Sequence, residues 1–165
     1  MTRRSRRGFT LMEALFATAV LAFVVAALSQ AIVVGQMQTY DAMHSGRAVA
    51  LAEAMMEEVL VLPYDDPGGG VTIGPDDGET TRQDFDDIDD YHGFSEAADA
   101  LADAEGNLYA DLYQRFNRRV TVTADDVDVA AFGASQPGLT ITVTVQEGDD
   151  GRAWTVSRFV PEPSE

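Results

Sequence analysis

The sequence predicts an α+β fold in which one long N-terminal helix covers a small antiparallel sheet near the C-terminus. The first observation is the stretch 14–40, which contains no charged residue and is mostly apolar. The second is the stretch 139–146, in which aliphatic residues alternate with threonine and glutamine. A long uninterrupted run of apolar residues is typical of a helix, and alternation of apolar and polar residues with a period of two is typical of a strand. Helix-breaking residues at 63–70 separate the two patterns.

Length, charge and cysteine content describe one modest domain joined to an anchor. The chain has 165 residues, of which 28 are acidic and 11 basic, and its net charge is −17. Four of the basic residues are arginines within the first seven positions, so the body is strongly acidic. An acidic body repels nucleic-acid phosphates, and we expect no nucleic-acid partner. The chain has no cysteine, which excludes disulfides, zinc–thiolate sites and thiol catalysis.

The apolar run from Ala14 to Val34 is long enough to cross a bilayer, because a spanning helix needs about 20 residues. Since arginines precede it, we expect a single pass through the membrane, with the N-terminus cytoplasmic and the head extracytoplasmic. A secretory signal has a shorter apolar core and a clear cleavage site after it. An ordinary anchor explains the length but not the carboxylate of Glu13, whose burial costs roughly 2.5 kcal/mol or more.

The order Arg7-Gly8-Phe9-Thr10-Leu11-Met12-Glu13 resembles the cleavage and N-methylation motif of type IV prepilins and of the pseudopilins of type II secretion. The resemblance implies that a prepilin peptidase cuts between Gly8 and Phe9 and methylates the new amino group of Phe9. It implies that Glu13 is the assembly residue, which neutralises the N-terminal amine of a neighbouring subunit. The implied partners are other pilins or pseudopilins, through the N-terminal helix, and an inner-membrane assembly platform.

Two further features bear on the sub-family. Gln30 stands where many major pilins carry a proline, so we expect no proline kink. The stretch 47–58 resembles minor pilins of the pilus-modification V type and of the mannose-sensitive haemagglutinin D type, and also the type II secretion I component. We therefore expect a minor pilin or pseudopilin, a structural subunit and not an enzyme. The alternative is a membrane-tethered calcium-binding or adhesive module that uses the leader only as an anchor.

The predicted organisation has five parts. They are a leader at 1–8, a transmembrane and assembly helix at 9–35, the amphipathic half of that helix at 36–62, an acidic irregular loop region at 63–108, and the sheet of the globular head at 109–165. The helix should run from Thr10 to Leu62, with Met55 and Met56 in the core. A second, short helix is predicted from Ser95 to Ala104, because Ser95 is a good N-cap.

The C-terminal strands should form three or more antiparallel strands covered by the amphipathic half of the helix. One strand begins at Arg119, or as early as Tyr113. Four aliphatic residues of the next strand should share one face: Leu139, Ile141, Val143 and Val145. The last strand follows a turn at 147–151 and carries three further apolar residues: Trp154, Val156 and Val160.

One cluster of side chains could bind a metal ion. Five aspartates crowd the middle of the chain, and calcium takes six to eight oxygen ligands: Asp84, Asp86, Asp87, Asp89 and Asp90. The spacing is not that of an EF-hand, because the glycine and the final glutamate are absent. The sequence therefore leaves two possibilities, a calcium site or a solvated acidic loop without a cofactor.

Aromatic and aliphatic residues are interleaved with these aspartates and should hold the loop against the body: Phe85, Ile88, Tyr91 and Phe94. The two histidines, His44 and His92, lie in no catalytic motif. We expect His44 in the long helix and His92 in the loop, bonded to a nearby carboxylate.

Overall fold

The computed structural model describes residues 9–69, 72–129 and 133–163. It contains two compact units: the first ends at Met43, and the second begins at His44. Helix α1 spans Leu11–Val59, and four strands follow it: β1 (Ser95–Glu96), β2 (Phe116–Val129), β3 (Ala134–Glu147) and β4 (Ala153–Pro161). The α+β architecture predicted from the sequence is confirmed. The leader, including Gly8, lies outside the described residues.

Helix α1 is continuous over 49 residues, which corresponds to about 73 Å of helix length. It has no break at Gln30, as the missing proline led us to expect. The two hydroxyl side chains within the apolar stretch bond to the helix itself, since Thr18 and Ser29 donate to the carbonyls of Leu15 and Val25 at 2.9 Å each. Such bonds satisfy the hydrogen-bonding capacity of a hydroxyl group where water does not reach it.

The helix ends at Val59, three residues before the predicted Leu62. Beyond Val59 the backbone tightens, because the amides of Val61 and Leu62 bond to carbonyls three residues earlier, at 3.3 and 3.2 Å. Such bonds are common in the last turn of a helix. Pro63 follows and cannot continue the helical hydrogen bonds.

The sheet is antiparallel with the strand order β1-β2-β3-β4. Strands β2 and β3 pair along their whole length, from Phe116 opposite Glu147 to Val129 opposite Ala134. Strand β4 covers only 138–146 of β3, and β1 covers only 118–119 of β2. One end of the β2–β3 hairpin therefore extends beyond its neighbours.

The predicted short helix at 95–104 is wrong. Ser95 and Glu96 pair with Arg119 and Arg118 in the sheet, and Asp99 has a φ of 66°, which no α-helix contains. Pairing with β2 therefore outweighs the local preference that Ser95 expresses as a helix cap.

The core of the second unit forms between α1 and the inner face of the sheet. The helix contributes Ala48, Leu51, Ala52, Met55, Met56 and Val59, all buried. The sheet contributes Phe116, Val120, Val122, Leu139, Ile141, Val143 and Val145. Burial of each large aliphatic side chain stabilises the fold by about 1.5–3 kcal/mol. The core roles predicted for Met55 and Met56 and the inward face of β3 are confirmed.

The acidic loop is fixed to this core as predicted. Ile88 and Tyr91 are buried, and Phe85 and Phe94 pack against the core from its edge. Phe85 meets Tyr91 edge-on, with ring centroids 5.0 Å apart. Edge-to-face contacts of this kind stabilise beyond simple area burial, so the aspartates between these residues are held in defined positions.

A buried ionic network joins the loop, the helix and the sheet. We call it the ionic network and define it as Glu58, Arg82, Tyr91, Glu96 and Arg118. Arg82 bonds to both glutamates, and Arg118, whose side chain is 0% exposed, bonds to Glu96 through Nε at 2.7 Å. The Tyr91 hydroxyl donates to Glu58 at 2.7 Å. Burial would raise the pKa of Glu58, but the bonds from Arg82 and Tyr91 lower it below its ordinary value.

Candidate functional sites

The N-terminal unit carries three of the residues that the sequence singles out, and Gly8 precedes the described part. Phe9 is 83% exposed. Thr10 caps α1, since its Oγ1 accepts a hydrogen bond from the amide of Glu13 at 3.3 Å. Glu13 is the acidic residue of the first turn, where a carboxylate is favoured by the unpaired amides of the helix start. The order Thr-x-x-Glu is a capping-box pattern that sequence reasoning overlooked.

Most of the apolar surface in this unit has no cover within the chain. Phe16, Phe23 and Leu28 are 65, 79 and 60% exposed. Helix α1 is long and apolar enough to cross a membrane, judged by its length and composition. A continuous apolar surface of this size requires lipid or other apolar helices around it.

The acidic loop brings four of the five predicted aspartates into three groups of carboxylates, each group with oxygens within 4.8 Å of one another. The first group is Asp87, Asp89 and Asp90; the second is Glu79, Asp86 and Asp90; the third is Asp66, Asp86 and Asp87. Asp84 is in none of these groups among the described residues. Its carboxylate instead accepts bonds from the amide and hydroxyl of Thr81, at 2.9 and 2.8 Å, which lower the pKa of Asp84.

Asp66 and Glu79 were not found from the sequence. Asp66 lies 20 residues before Asp86, and Glu79 lies 7 residues before it (86 − 66 and 86 − 79). The loop returns on itself: Asp89 accepts a bond from the amide of Gly74 at 2.9 Å. The sequence signals this turn of the loop only through the many Gly, Pro and Asp residues between Asp66 and Asp86.

The electrostatics of this cluster favour protonation or a cation. Asp87 and Asp90 are only 2 and 3% exposed. Burial raises the pKa of Asp87 to about 6. The charges of Asp89 and Asp90 act in the same direction, and the hydrogen bonds from the backbone amides of these two residues oppose them in part. The amide of Asp76 favours the charged form of Glu79, but burial and the adjacent Asp90 outweigh it and raise the pKa of Glu79 to about 7.

The donor set fits a hard cation such as calcium, because carboxylate oxygens are the ligands that such ions take. Several of these oxygens also accept backbone bonds. Asp90 accepts from the amides of Asp86 and Asp87 at 2.9 and 3.1 Å, and Asp87 accepts from Asp89 at 2.7 Å. These bonds orient the carboxylates and leave further lone pairs on each.

The histidines take structural positions. His44 is buried in α1, with Nδ1 3.6 Å from Glu147. The expectation for His92 is wrong: its Nδ1 lies 2.6 Å from the carbonyl oxygen of Val122, so its bonded partner is the backbone of β2 and not a carboxylate. The edge of β2 offers that carbonyl because β1 begins only at Ser95, which pairs with Arg119, and so does not reach Val122.

Comparison with known proteins identifies the N-terminal segment. Residues 3–29 match the family model described as the prokaryotic N-terminal methylation motif. No curated protein and no solved structure matches the chain significantly. The match includes Phe9, Thr10 and Glu13, and it ends before the head begins.

Proposed function

We propose that this chain, which carries the prepilin-type methylation motif at residues 3–29, is a type IV pilin-like protein and, more closely, a minor pilin or pseudopilin. In this role it is a non-enzymatic subunit of a type IV pilus or a type II secretion filament. The observation that carries the proposal is the exposed apolar helix α1, which begins at Leu11, two residues after Phe9, and holds Glu13 in its first turn. Its surface is suited to a bilayer before assembly and to neighbouring helices afterwards.

Processing follows from the same segment. We propose that a prepilin peptidase cuts between Gly8 and Phe9 and methylates Phe9. Glycine at the cut site lets an extended backbone enter a protease cleft, because it has no side chain. The arginines of the leader stay in the cytoplasm, and the head is extracytoplasmic. Assembly into the filament would then proceed on an inner-membrane platform.

The role of Glu13 is to pair with a second subunit. Its carboxylate lies one helical turn from Phe9 and is exposed on the isolated helix. A filament would surround this helix with apolar neighbours, where an unpaired carboxylate is strongly unfavourable. The amine of a neighbouring Phe9 removes that cost and fixes the axial register between the two helices.

Replacement of Glu13 tests this proposal. Glu13→Gln should leave insertion, cleavage at Gly8 and head folding unchanged, because Gln keeps the shape and the helix start. The amount of this subunit in sheared filaments should fall about fivefold or more, which corresponds to a loss of roughly 1 kcal/mol. The matched control is Glu53→Gln, the same change at an exposed position of the same helix.

Equal incorporation of Glu13→Gln and wild type would contradict the assembly role. An intact leader on protein from cells with an active prepilin peptidase would contradict the processing role. In that case the alternative function gains support, a membrane-tethered module whose leader is only an anchor.

The alternative has one observation in its favour, the carboxylate groups around Asp87 and Asp90. We propose that these groups, with Asp86 and Asp89, are where calcium would bind if the head is a calcium-binding or adhesive module. A ligand that binds only the folded state raises the melting temperature. A melting temperature that stays flat across a calcium titration to millimolar concentration would leave a solvated acidic loop.

A further inference from the structure

Gln30 is a polar side chain without a partner inside the apolar stretch of α1. It is exposed on the helix surface, and its amide bonds to no group of the described residues. The other polar side chains of the stretch 14–34 are Thr18 and Ser29, whose hydroxyls donate to carbonyls of the same helix. Gln30 therefore presents an amide, both a hydrogen-bond donor and an acceptor, on a surface that is otherwise apolar.

The proposed function places α1 in a bilayer before assembly, and the present inference rests on it. Gln30 lies four residues before Val34, where the apolar run ends (34 − 30), which is about 6 Å along the helix. Helical side chains lean toward the N-terminus, so the Gln30 amide points into the bilayer and away from its nearer surface. An amide without a hydrogen bond is unfavourable there, because hydrocarbon offers no water in place of the missing partner.

The surface around Gln30 allows a second helix to come close. Ala26 and Ala27 lie one turn before it on the same face, and small residues let two helix backbones approach each other in a membrane. A shallow groove of about 470 Å³ adjoins the amide and is lined by Ser29, Gln30, Val33 and Val34. The hydroxyl oxygen of Ser29 keeps lone pairs that can accept a further bond within this groove.

We propose that two copies of this chain pair in the membrane through reciprocal hydrogen bonds between their Gln30 amides. Each amide donates an N–H to the carbonyl oxygen of the other, so an identical residue satisfies both partners. The two copies cross the membrane in the same direction, because each has the same arginine-rich leader. The same residue therefore lies at the same depth in both. The contact is isologous, with a twofold axis along the membrane normal, and it closes at two copies.

The Gln30 pair differs in register from the contact proposed for Glu13. Glu13 lies four residues beyond Phe9 (13 − 9), or about 6 Å along the helix. A bond from Glu13 to the amine of a neighbouring Phe9 therefore displaces the two helices axially by a similar distance, whereas two Gln30 amides at the same depth need no displacement. The Gln30 pair holds subunits in the membrane before assembly and separates when one of them enters the filament.

Disulfide capture in membranes tests the pair, since the chain has no cysteine of its own. Met37→Cys places a thiol on the Gln30 face two turns along, and Thr39→Cys places one at a similar depth on the opposite face. Both positions are exposed on the helix. In oxidised membranes of cells that express this full-length chain and no other pilin, the dimer yield should be about fivefold higher for Met37→Cys than for Thr39→Cys. Equal yields overturn the proposal.

Replacement of the amide in the Met37→Cys background provides the second arm. Gln30→Leu should lower the dimer yield about fivefold or more, because it removes both reciprocal bonds. It makes the membrane span more apolar, so insertion is not impaired. Gln30→Asn keeps an amide and should yield more dimer than Gln30→Leu. The matched control Gln36→Leu removes an amide beyond the apolar run and should leave the yield within about twofold.

Three results of this arm overturn the pair. They are an unchanged yield for Gln30→Leu, an equal loss for Gln36→Leu, and a yield for Gln30→Asn no higher than that for Gln30→Leu. Dimer formation only when another pilin is co-expressed would assign the Gln30 contact to that partner's helix and would also overturn pairing between copies.

The proposed function is scored separately, by cleavage between Gly8 and Phe9 and by recovery in sheared filaments. If the chain is cleaved and assembled but Gln30→Leu does not change the dimer yield, the pair is wrong and the function stands. If the pair forms but the leader is never cleaved in cells with an active prepilin peptidase, the pair stands and the filament function is wrong.

Discussion

Removal of the buried guanidinium of Arg118 should destabilise the head by about 3–5 kcal/mol, the range for a broken buried ion pair. Arg118→Met keeps the apolar stem and removes the charge. Glu96 then loses one of its two arginines and keeps Arg82 at 3.2 Å. The carbonyl of Leu51 loses its donor at 3.2 Å, and bonds of this kind to a charged group contribute about 1.5–3 kcal/mol. The carbonyl of Ala102 keeps Arg82, also at 3.2 Å.

Urea unfolding of the full chain in detergent micelles measures this loss. Trp154 is the single tryptophan and packs edge-on against Phe116, with ring centroids 6.1 Å apart, so its fluorescence reports the core. Arg158→Met is the matched control at an exposed position and should change the free energy of unfolding by less than about 0.5 kcal/mol. A loss below about 1 kcal/mol for Arg118→Met, or one equal to the control, refutes the role assigned to the ionic network.

Three other substitutions have expected results. Gly138→Ala should lower the free energy of unfolding by about 1–3 kcal/mol through overpacking, because the new Cβ would lie 2.3 Å from the carbonyl oxygen of Val160. Gly46→Ala places its Cβ in open space and should stabilise α1 by about 0.5–1 kcal/mol. Equal melting temperatures for the two variants would contradict this expectation. Because the pKa of Asp87 in the folded protein is raised to about 6, its protonated carboxyl contributes stability that is fully present below about pH 4. This contribution is lost as the pH rises through 6. Asp87→Asn should therefore raise the melting temperature at pH 7.5 and leave it unchanged at pH 4. The variant should also lose any rise in melting temperature that calcium produces. A melting temperature below that of the wild type at pH 7.5 without calcium would contradict this, because it would show that folding needs the charged carboxylate.

The elements that could be predicted were those whose pattern is local. The long apolar run gave α1, and the alternation of Leu139, Ile141 and Val143 gave the buried face of β3, because one repeat along the chain contains the information. Phe85 and Tyr91 were expected to hold the loop, since apolar residues in a polar stretch have few other uses.

What could not be predicted depends on residues distant in sequence. Arg118 and Arg119 are adjacent, and no local pattern distinguishes them. The side chain of Arg118 is 0% exposed and that of Arg119 is exposed, because successive residues of β2 point to opposite faces of the sheet. The strand at Ser95 was read as a helix for the same reason, since only β2 determines its pairing. Asp66 and Glu79 join the carboxylate cluster through a return of the loop that no short pattern encodes.

The unbroken helix from Leu11 to Val59 has a mechanical consequence. Tension along its axis loads every backbone hydrogen bond in turn, and no proline provides a fixed yielding point. Conversion of one turn to extended chain would lengthen the subunit by about 6–7 Å, from about 1.5 to 3.3 Å per residue. Yielding should begin at Gly35, which lies outside the unit that begins at His44. Nothing lies within 4 Å of the position that a Cβ would take at Gly35, and a glycine weakens a helix by about 1 kcal/mol. A pulled subunit would therefore lengthen at Gly35 before its head unfolds.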